Sequence, residues 1–133
     1  MDYFKITTDE TLRETVQHGS ERYPFAYYPE DIWQFDFHRI DWHWHHELEF
    51  LYVAEGTAIC FIGTSKVELH KGCGIFINSG VLHCFESDNS DTTYRRCTCR
   101  TAPVQSTAAV YPARCRCCTA ACTVPAASAV PSR

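Results

Sequence analysis

Residues 42–56 read Trp42-His43-Trp44-His45-His46-Glu47-Leu48-Glu49-Phe50-Leu51-Tyr52-Val53-Ala54-Glu55-Gly56. Side chains alternate between faces along a strand, so regular pairing here puts His43, His45 and Glu49 on one wall. Trp42, Trp44, His46, Leu48, Phe50 and Tyr52 then line the other face. Two imidazoles and a carboxylate make three-quarters of a borderline transition-metal site, and a neighbouring strand must supply the fourth group. His83, just past the Ser79-Gly80 turn, is the candidate. The opposite stripe offers a stacking surface for a small ligand, and Trp44 is grouped with the pocket residues on that ground. Stripes of this kind are more often core or subunit interface. The run from Trp42 to Ala54 is long for one strand and predicts a bend or bulge within it.

Working outward, short strands separated by glycine turns follow on both sides. Tyr23–Tyr28 and Trp33–Ile40 are aromatic and alternating, with Pro29-Glu30-Asp31 between them. Glu55-Gly56 turns into Thr57–Ile62, and Gly63-Thr64-Ser65 makes a hairpin into Lys66–His70. Lys71-Gly72-Cys73-Gly74 turns into Ile75–Asn78, and Ser79-Gly80 into Val81–Ser87. At the N-terminus, Thr7 and Glu10 have capping-box spacing, Leu12 and Val16 supply one apolar face, and Gly19-Ser20 is a stop signal, which predicts a short helix over 8–17. Strands at this spacing indicate an antiparallel barrel or sandwich, not a βαβ fold.

The chain has 133 residues, enough for one domain with a real core and too few for a comfortable second. No stretch approaches the ~20 apolar residues that span a bilayer, and Met1–Lys5 lacks a signal layout, so the expected compartment is the cytoplasm. All sixteen acidic residues lie before Thr92, against six Lys/Arg before Arg95, a formal charge of −10 that disfavours non-specific contact with phosphate backbones. From Arg95 onward there are six Arg, nine Ala, six Cys and four Pro, with no acid and no Leu, Ile, Phe, Trp or Met. The chain therefore divides into a globular domain, 1–91, and a Cys/Ala/Arg/Pro-rich tail, 92–133. The tail reads as disordered or out-of-frame sequence, because it has too few large apolar side chains to offset chain entropy. A metal module is the weaker reading: Cys97-x-Cys99 and Cys115-x-Cys117-Cys118 lack paired C-x₂-C spacing, and no His lies nearby.

The spacing His43-x-His45-x₃-Glu49-x₆-Gly56 resembles the first cupin motif, and Gly72-x₅-Asn78-x-Gly80-x₂-His83 resembles the second. Asn78 stands where proline is usual, Ser87 where asparagine is usual, and Phe37 where a leading glycine is expected. The phrase from Trp42 to Gly56, with Lys71–Asn78, Val81-Leu82-His83 and the lead-in Pro24–Tyr28, is more particularly similar to the sensor domain of AraC-family transcriptional regulators. That resemblance covers about residues 20–88. It implies an all-β, cupin-type antiparallel barrel (a double-stranded β-helix or jelly roll), incomplete here. It also implies a small-molecule effector such as a sugar, a homodimer in the intact regulator, and DNA binding through a C-terminal helix-turn-helix half not seen in this chain.

Two functions follow from the same four residues. In the sensor reading, His43, His45, Glu49 and His83, with Trp44, line an effector pocket without catalysis, the cluster being a polar wall inherited from metal-binding cupins. In the alternative, a small metal-dependent enzyme of isomerase or dioxygenase type, the four hold a Zn, Fe, Mn or Ni ion with an open position. The AraC likeness favours the sensor. His18 and His70 read as solvated, and His38 as joining either the pocket or the surface. Cys60, Cys73 and Cys84 read as small buried or turn residues.

Overall fold

The computed structural model describes residues 3–100 and the backbone of Tyr111 and Pro112. Among the described residues nine strands appear in chain order: β1 (Phe25–Asp31), β2 (Arg39–His43), β3 (Leu48–Glu55), β4 (Thr57–Ile62), β5 (Ser65–His70), β6 (Gly74–Ile77), β7 (His83–Glu86), β8 (Thr93–Cys99) and β9 (Tyr111–Pro112). They form two antiparallel sheets, ordered β1-β8-β3-β6-β9 and β2-β7-β4-β5. From β1 to β4 successive strands alternate between the sheets, as do β5 through β8. The chain thus winds back and forth around one interior, the jelly-roll arrangement of the cupin barrel.

The alternating patterns explain the layers. β4 and β5 bury Ala58, Cys60, Ile62, Val67 and Leu69, while β3 and β6 bury Leu51, Val53, Ile75 and Ile77 from the facing sheet. The β4–β5 hairpin pairs Ile62 with Ser65 around Gly63-Thr64, as the turn residues predict. Cys60, Cys73 and Cys84 are all buried. Among the described residues no helix is long and apolar enough to cross a membrane.

Three expectations are corrected. No α-helix forms over 8–17. Asp9 Oδ1 instead accepts from the backbone N–H of Thr11 and Arg13, Leu12 takes a left-handed φ of 65°, and Thr8 pairs with Glu14. The Asp9 carboxylate satisfies the turn amides locally, in competition with a helix. The returning limb docks on the barrel, where Glu14 N–H donates to Trp44 O and Trp44 N–H to Leu12 O. The aromatic stretch before β2 is likewise not a strand. It folds into two short 3-10 turns, Ile32–Gln34 and Asp36–His38, the first capped by Asp31 Oδ1 accepting from Trp33 N–H at 3.0 Å. β1 itself runs through Pro29-Glu30-Asp31, which a strand at the sheet edge tolerates.

The third correction concerns the change of composition. β8 lies wholly beyond the boundary drawn at 91/92, paired to β1 on one side and β3 on the other. Tyr94, Arg96 and Thr98 point inward and are buried. Thr93–Cys99 therefore belongs to the barrel, and alternation survives the shift in residue usage. The Cys115–Cys118 cluster lies outside the described residues.

Gly56 fixes the β3–β4 turn at φ +76°, and an added Cβ there would collide with Thr92 Oγ1 and lie 2.7 Å from Thr92 Cα. Thr92 is held in place by hydrogen bonds to Thr57 and Ser87. Gly72 has a similar φ of +84° but nothing within 4 Å of its would-be Cβ. Gly72→Ala is expected to cost only the strain of a left-handed alanine, about 1–3 kcal/mol, whereas Gly56→Ala adds a clash with backbone. Urea unfolding of the two variants side by side checks this, and equal midpoints would refute the assigned role of Thr92.

Candidate functional site

The long histidine-rich run divides at its middle. β2 ends at His43 in one sheet and β3 begins at Leu48 in the other, so Trp44–Glu47 turns the corner between them. Alternation persists through the corner: His43, His45, Glu47 and Glu49 are buried, and His46 and Phe50 are exposed. His83 opens β7, directly opposite His43 in register. The four predicted residues converge, with one ligand-capable atom of each within 4.8 Å of the others. His43, Glu49 and His83 are 0% exposed and His45 3%.

Trp44 is not with them. Its indole Nε1–H donates to Thr11 O, its ring lies edge-on to His46, and Arg13 packs over it on the outer side of the corner. His38 stacks on Trp33 with centroids 3.7 Å apart, away from the cluster. His70 is exposed beside Glu68. His18, expected to be solvated, is buried at 2% exposure, because the docked N-terminal segment carries it against the barrel.

Hydrogen bonding orients every imidazole of the cluster. His43 Nδ1 faces Asp41 O at 2.7 Å, His45 Nδ1 faces Glu47 O at 3.0 Å, and His83 Nδ1 faces Val81 O at 2.7 Å. A carbonyl only accepts, so each Nδ1 carries the hydrogen and each neutral ring is left with a lone pair on Nε2. His45 and His83 turn Nε2 onto one oxygen, Glu49 Oε2, at 2.8 and 3.0 Å. His43 Nε2 and Glu49 Oε1 are buried without a hydrogen-bond partner. Three convergent Nε2 atoms, that of His43 with no partner, and the Glu49 carboxylate fit a divalent transition metal, with backbone carbonyls acting as the outer partners that hold ligand histidines.

Charge in the protein alone is arranged around Glu49. Burial would raise its carboxyl, but His83, the hydrogen bonds from His45 and His83, and Arg96 hold it well below the usual carboxylate range. Burial is the largest influence on His45 and opposes its protonation, yet the hydrogen bond and charge of Glu49, the charge of Glu14 and the bond to the Glu47 backbone together outweigh it and raise the ring's pKa. Burial, then His83, pushes His43 well down, so that ring is neutral.

Arg96 was hidden from the sequence reading by the unusual composition around it. From β8 its Nη2 donates to Glu30 Oε1 at 3.1 Å, its Nε lies 3.8 Å from Glu49 Oε1, and the guanidinium covers the Tyr28 ring at 4.7 Å. Beyond it is a second polar group: His18 bridges Glu14 Oε2 and Tyr28 OH, both at 2.6 Å, and its ring meets His45 edge-on at 5.5 Å. A cavity of about 520 Å³ lies between the N-terminal segment and β1, with Glu14, His18, Tyr28, Glu30 and Arg96 among its walls. A smaller one of about 250 Å³ reaches His45 between Arg13 and Arg100.

Residues 32–121 match the model of the AraC-like ligand binding domain. The chain belongs to that family. The match passes over the change of composition at Arg95 and so takes in β8 with Arg96. The HTH-type transcriptional regulator YdeC of Bacillus subtilis (strain 168) is 40% identical over 87 residues, which is 65% of this chain and 30% of the relative's length. More distant likenesses include a cupin-2 domain protein from Shewanella frigidimarina NCIMB 400, at 21% identity and a TM-score of 0.46 over 57% of this chain and 69% of that one. Another is Bacillus subtilis oxalate decarboxylase, at 17% identity and a TM-score of 0.44 over 53% of this chain and 20% of that one. At those scores neither bears on the chemistry of the site.

Removing one partner from a buried ion network leaves its opposite charges uncompensated. Arg96→Met is therefore expected to destabilise the domain by about 3–5 kcal/mol. Adding Glu30→Gln to that variant should recover part of the loss, because it removes one of the two stranded carboxylates. Denaturant unfolding of the single and double variants reads this, and a double variant no more stable than Arg96→Met would contradict it.

Proposed function

We propose that this domain is the effector-sensing part of a transcriptional regulator, binding a small molecule within the barrel without turning it over, and that the His43–His45–Glu49–His83 cluster holds a divalent transition metal ion. The convergence of those four buried groups carries the reading. Membership of a ligand-binding domain family supports the sensor role, and likeness to a regulator of more than three times the matched length supports a DNA-binding function exerted by the rest of such a polypeptide. In the same reading this domain also serves dimerisation of the intact regulator, and DNA recognition belongs to the rest of such a polypeptide.

The donor set supports the metal. Each ring presents Nε2 with Nδ1 already committed to a carbonyl, so binding needs no rotation, only loss of any proton on Nε2. Glu49 offers Oε2 to the same point while Arg96 stays near Oε1. His43, His45, Glu49 and His83 would hold the ion, which would supply a positive centre able to polarise an oxygen of a ligand. The chain's own residues orient that centre, exclude bulk water and set the charge around it.

Titrating the metal-free full chain with Co²⁺ should give one equivalent of saturable binding, seen as visible d–d absorption and as a rise in melting temperature. The double variant His45→Ala, His83→Ala should lose both signals. A chain that stays folded and binds neither Co²⁺ nor Zn²⁺ would remove the metal from the reading. Metal-dependent conversion of a small molecule would replace the sensor with an enzyme.

A further inference from the structure

β8 is held between β1 and β3, and its alternation gives its two faces different chemistry. Tyr94, Arg96 and Thr98 point into the barrel, so Arg95, Cys97 and Cys99 point out of it. Both cysteines are free thiols and half-buried. The pairing register gives their neighbours on that face: Tyr27 and Phe50 flank Cys97, and Phe25 and Leu48 flank Cys99. Among the described residues no third His, Cys, Asp or Glu completes a ligand cluster with the pair.

A C-x-C spacing is wrong for the paired ligands of a structural zinc site, but on a strand it sets two thiols side by side on one face. Over two residues a strand advances about 6.4–6.8 Å, and parallel Cα–Cβ bonds keep the two Cβ atoms about that far apart. A disulfide needs its Cβ atoms about 3.5–4.5 Å apart, so direct S–S closure would distort the strand. A bridging ion suits the longer gap. Two metal–sulfur bonds of about 2.3 Å each reach across it once the side chains lean together, and the backbone keeps its pairing.

Coordination number then selects the ion. Zn²⁺ takes four donors and finds two here, and Phe25, Leu48 and Phe50 offer none to a hard ion. A soft monovalent d¹⁰ ion, Cu⁺ above all, prefers thiolates and is satisfied by two in line. Binding releases both thiol protons to solvent, changes no oxidation state and leaves a bis-thiolate centre of net charge −1. Arg95, the next residue on the same face, sets a cation beside that charge.

We propose that Cys97 and Cys99 form a two-coordinate site for a soft monovalent metal ion, Cu⁺ by its chemistry, on the outer face of β8. The site lies on the opposite face of the sheet from Glu49 and its histidines, so it shares no ligand with that cluster.

The full chain is titrated with Cu⁺ anaerobically, with ascorbate as reductant and bicinchoninate as competing chelator. Cys115→Ser, Cys117→Ser, Cys118→Ser and Cys122→Ser are introduced together first, and Cys60, Cys73 and Cys84 are buried, so Cys97 and Cys99 are the accessible thiols that remain. That chain should hold one equivalent of Cu⁺ against the chelator, and copper-edge X-ray absorption should show two sulfur neighbours. Cys97→Ser or Cys99→Ser, added to it, should each weaken Cu⁺ by about a hundredfold or more, the gain that linking two ligands gives. Melting curves verify that both variants fold. Cu⁺ lost entirely to the chelator overturns the proposal, as does binding that either folded variant leaves unchanged. So does a copper centre with nitrogen or oxygen neighbours, or Zn²⁺ held as tightly as Cu⁺.

Discussion

Glu49 places a carboxylate where no part of it reaches solvent, and the interior of this barrel is organised around that fact. A buried anion must be met by cations or donors, or the fold loses several kcal/mol. One oxygen is met by His45 and His83 and the other faces Arg96. Those partners come from the corner after β2, the start of β7 and the middle of β8, which lie in different sheets. The same electrostatic requirement therefore ties together strands that backbone pairing alone leaves apart.

That arrangement also shows why the cluster suits an ion. Two Nε2 atoms aim at one carboxylate oxygen while a third, on His43, has nothing to bond. Protonating His45 settles one contact and leaves His43 neutral and unpaired. A divalent cation at the centre would take lone pairs from all three rings and a charge from Glu49, which is the combination the protein by itself does not fully satisfy.

The polar interior continues past the cluster. Arg96 leads from Glu49 to Glu30 and Tyr28, and Tyr28 leads through His18 to Glu14 on the N-terminal segment. Residues 7–18 are thus held to the barrel by side chains inside it as well as by the backbone bonds of Glu14 and Trp44. A segment without helix or strand of its own becomes part of the domain because His18, paired within it to Glu14, also reaches the Tyr28 hydroxyl on β1.

Much of this was legible in order of residues. The period-two alternation of His43, His45 and Glu49 survived even the corner that splits their run between two sheets, because each inward side chain is polar and needs the same interior. Glycine turns marked the ends of β4 to β7 closely, and the two-residue hairpin between β4 and β5 left little freedom of register. The N-terminal helix failed because Asp9 satisfies the turn amides that a helix would have used. Trp44 failed as a pocket residue because alternation sends it outward once its neighbours point in. Arg96 went unseen because composition was averaged over a stretch in which single residues still alternate.

By itself the order of residues determined the all-β architecture, the family and the identity of the four central groups, since alternation and motif spacing are local properties that survive folding. Only the tertiary structure decided that Arg96 stands by Glu49, that His18 is buried, and that a cavity opens between the N-terminal segment and β1. Those depend on pairing between strands far apart in the chain, β8 between β1 and β3 above all, and no local pattern encodes which strand lies beside which.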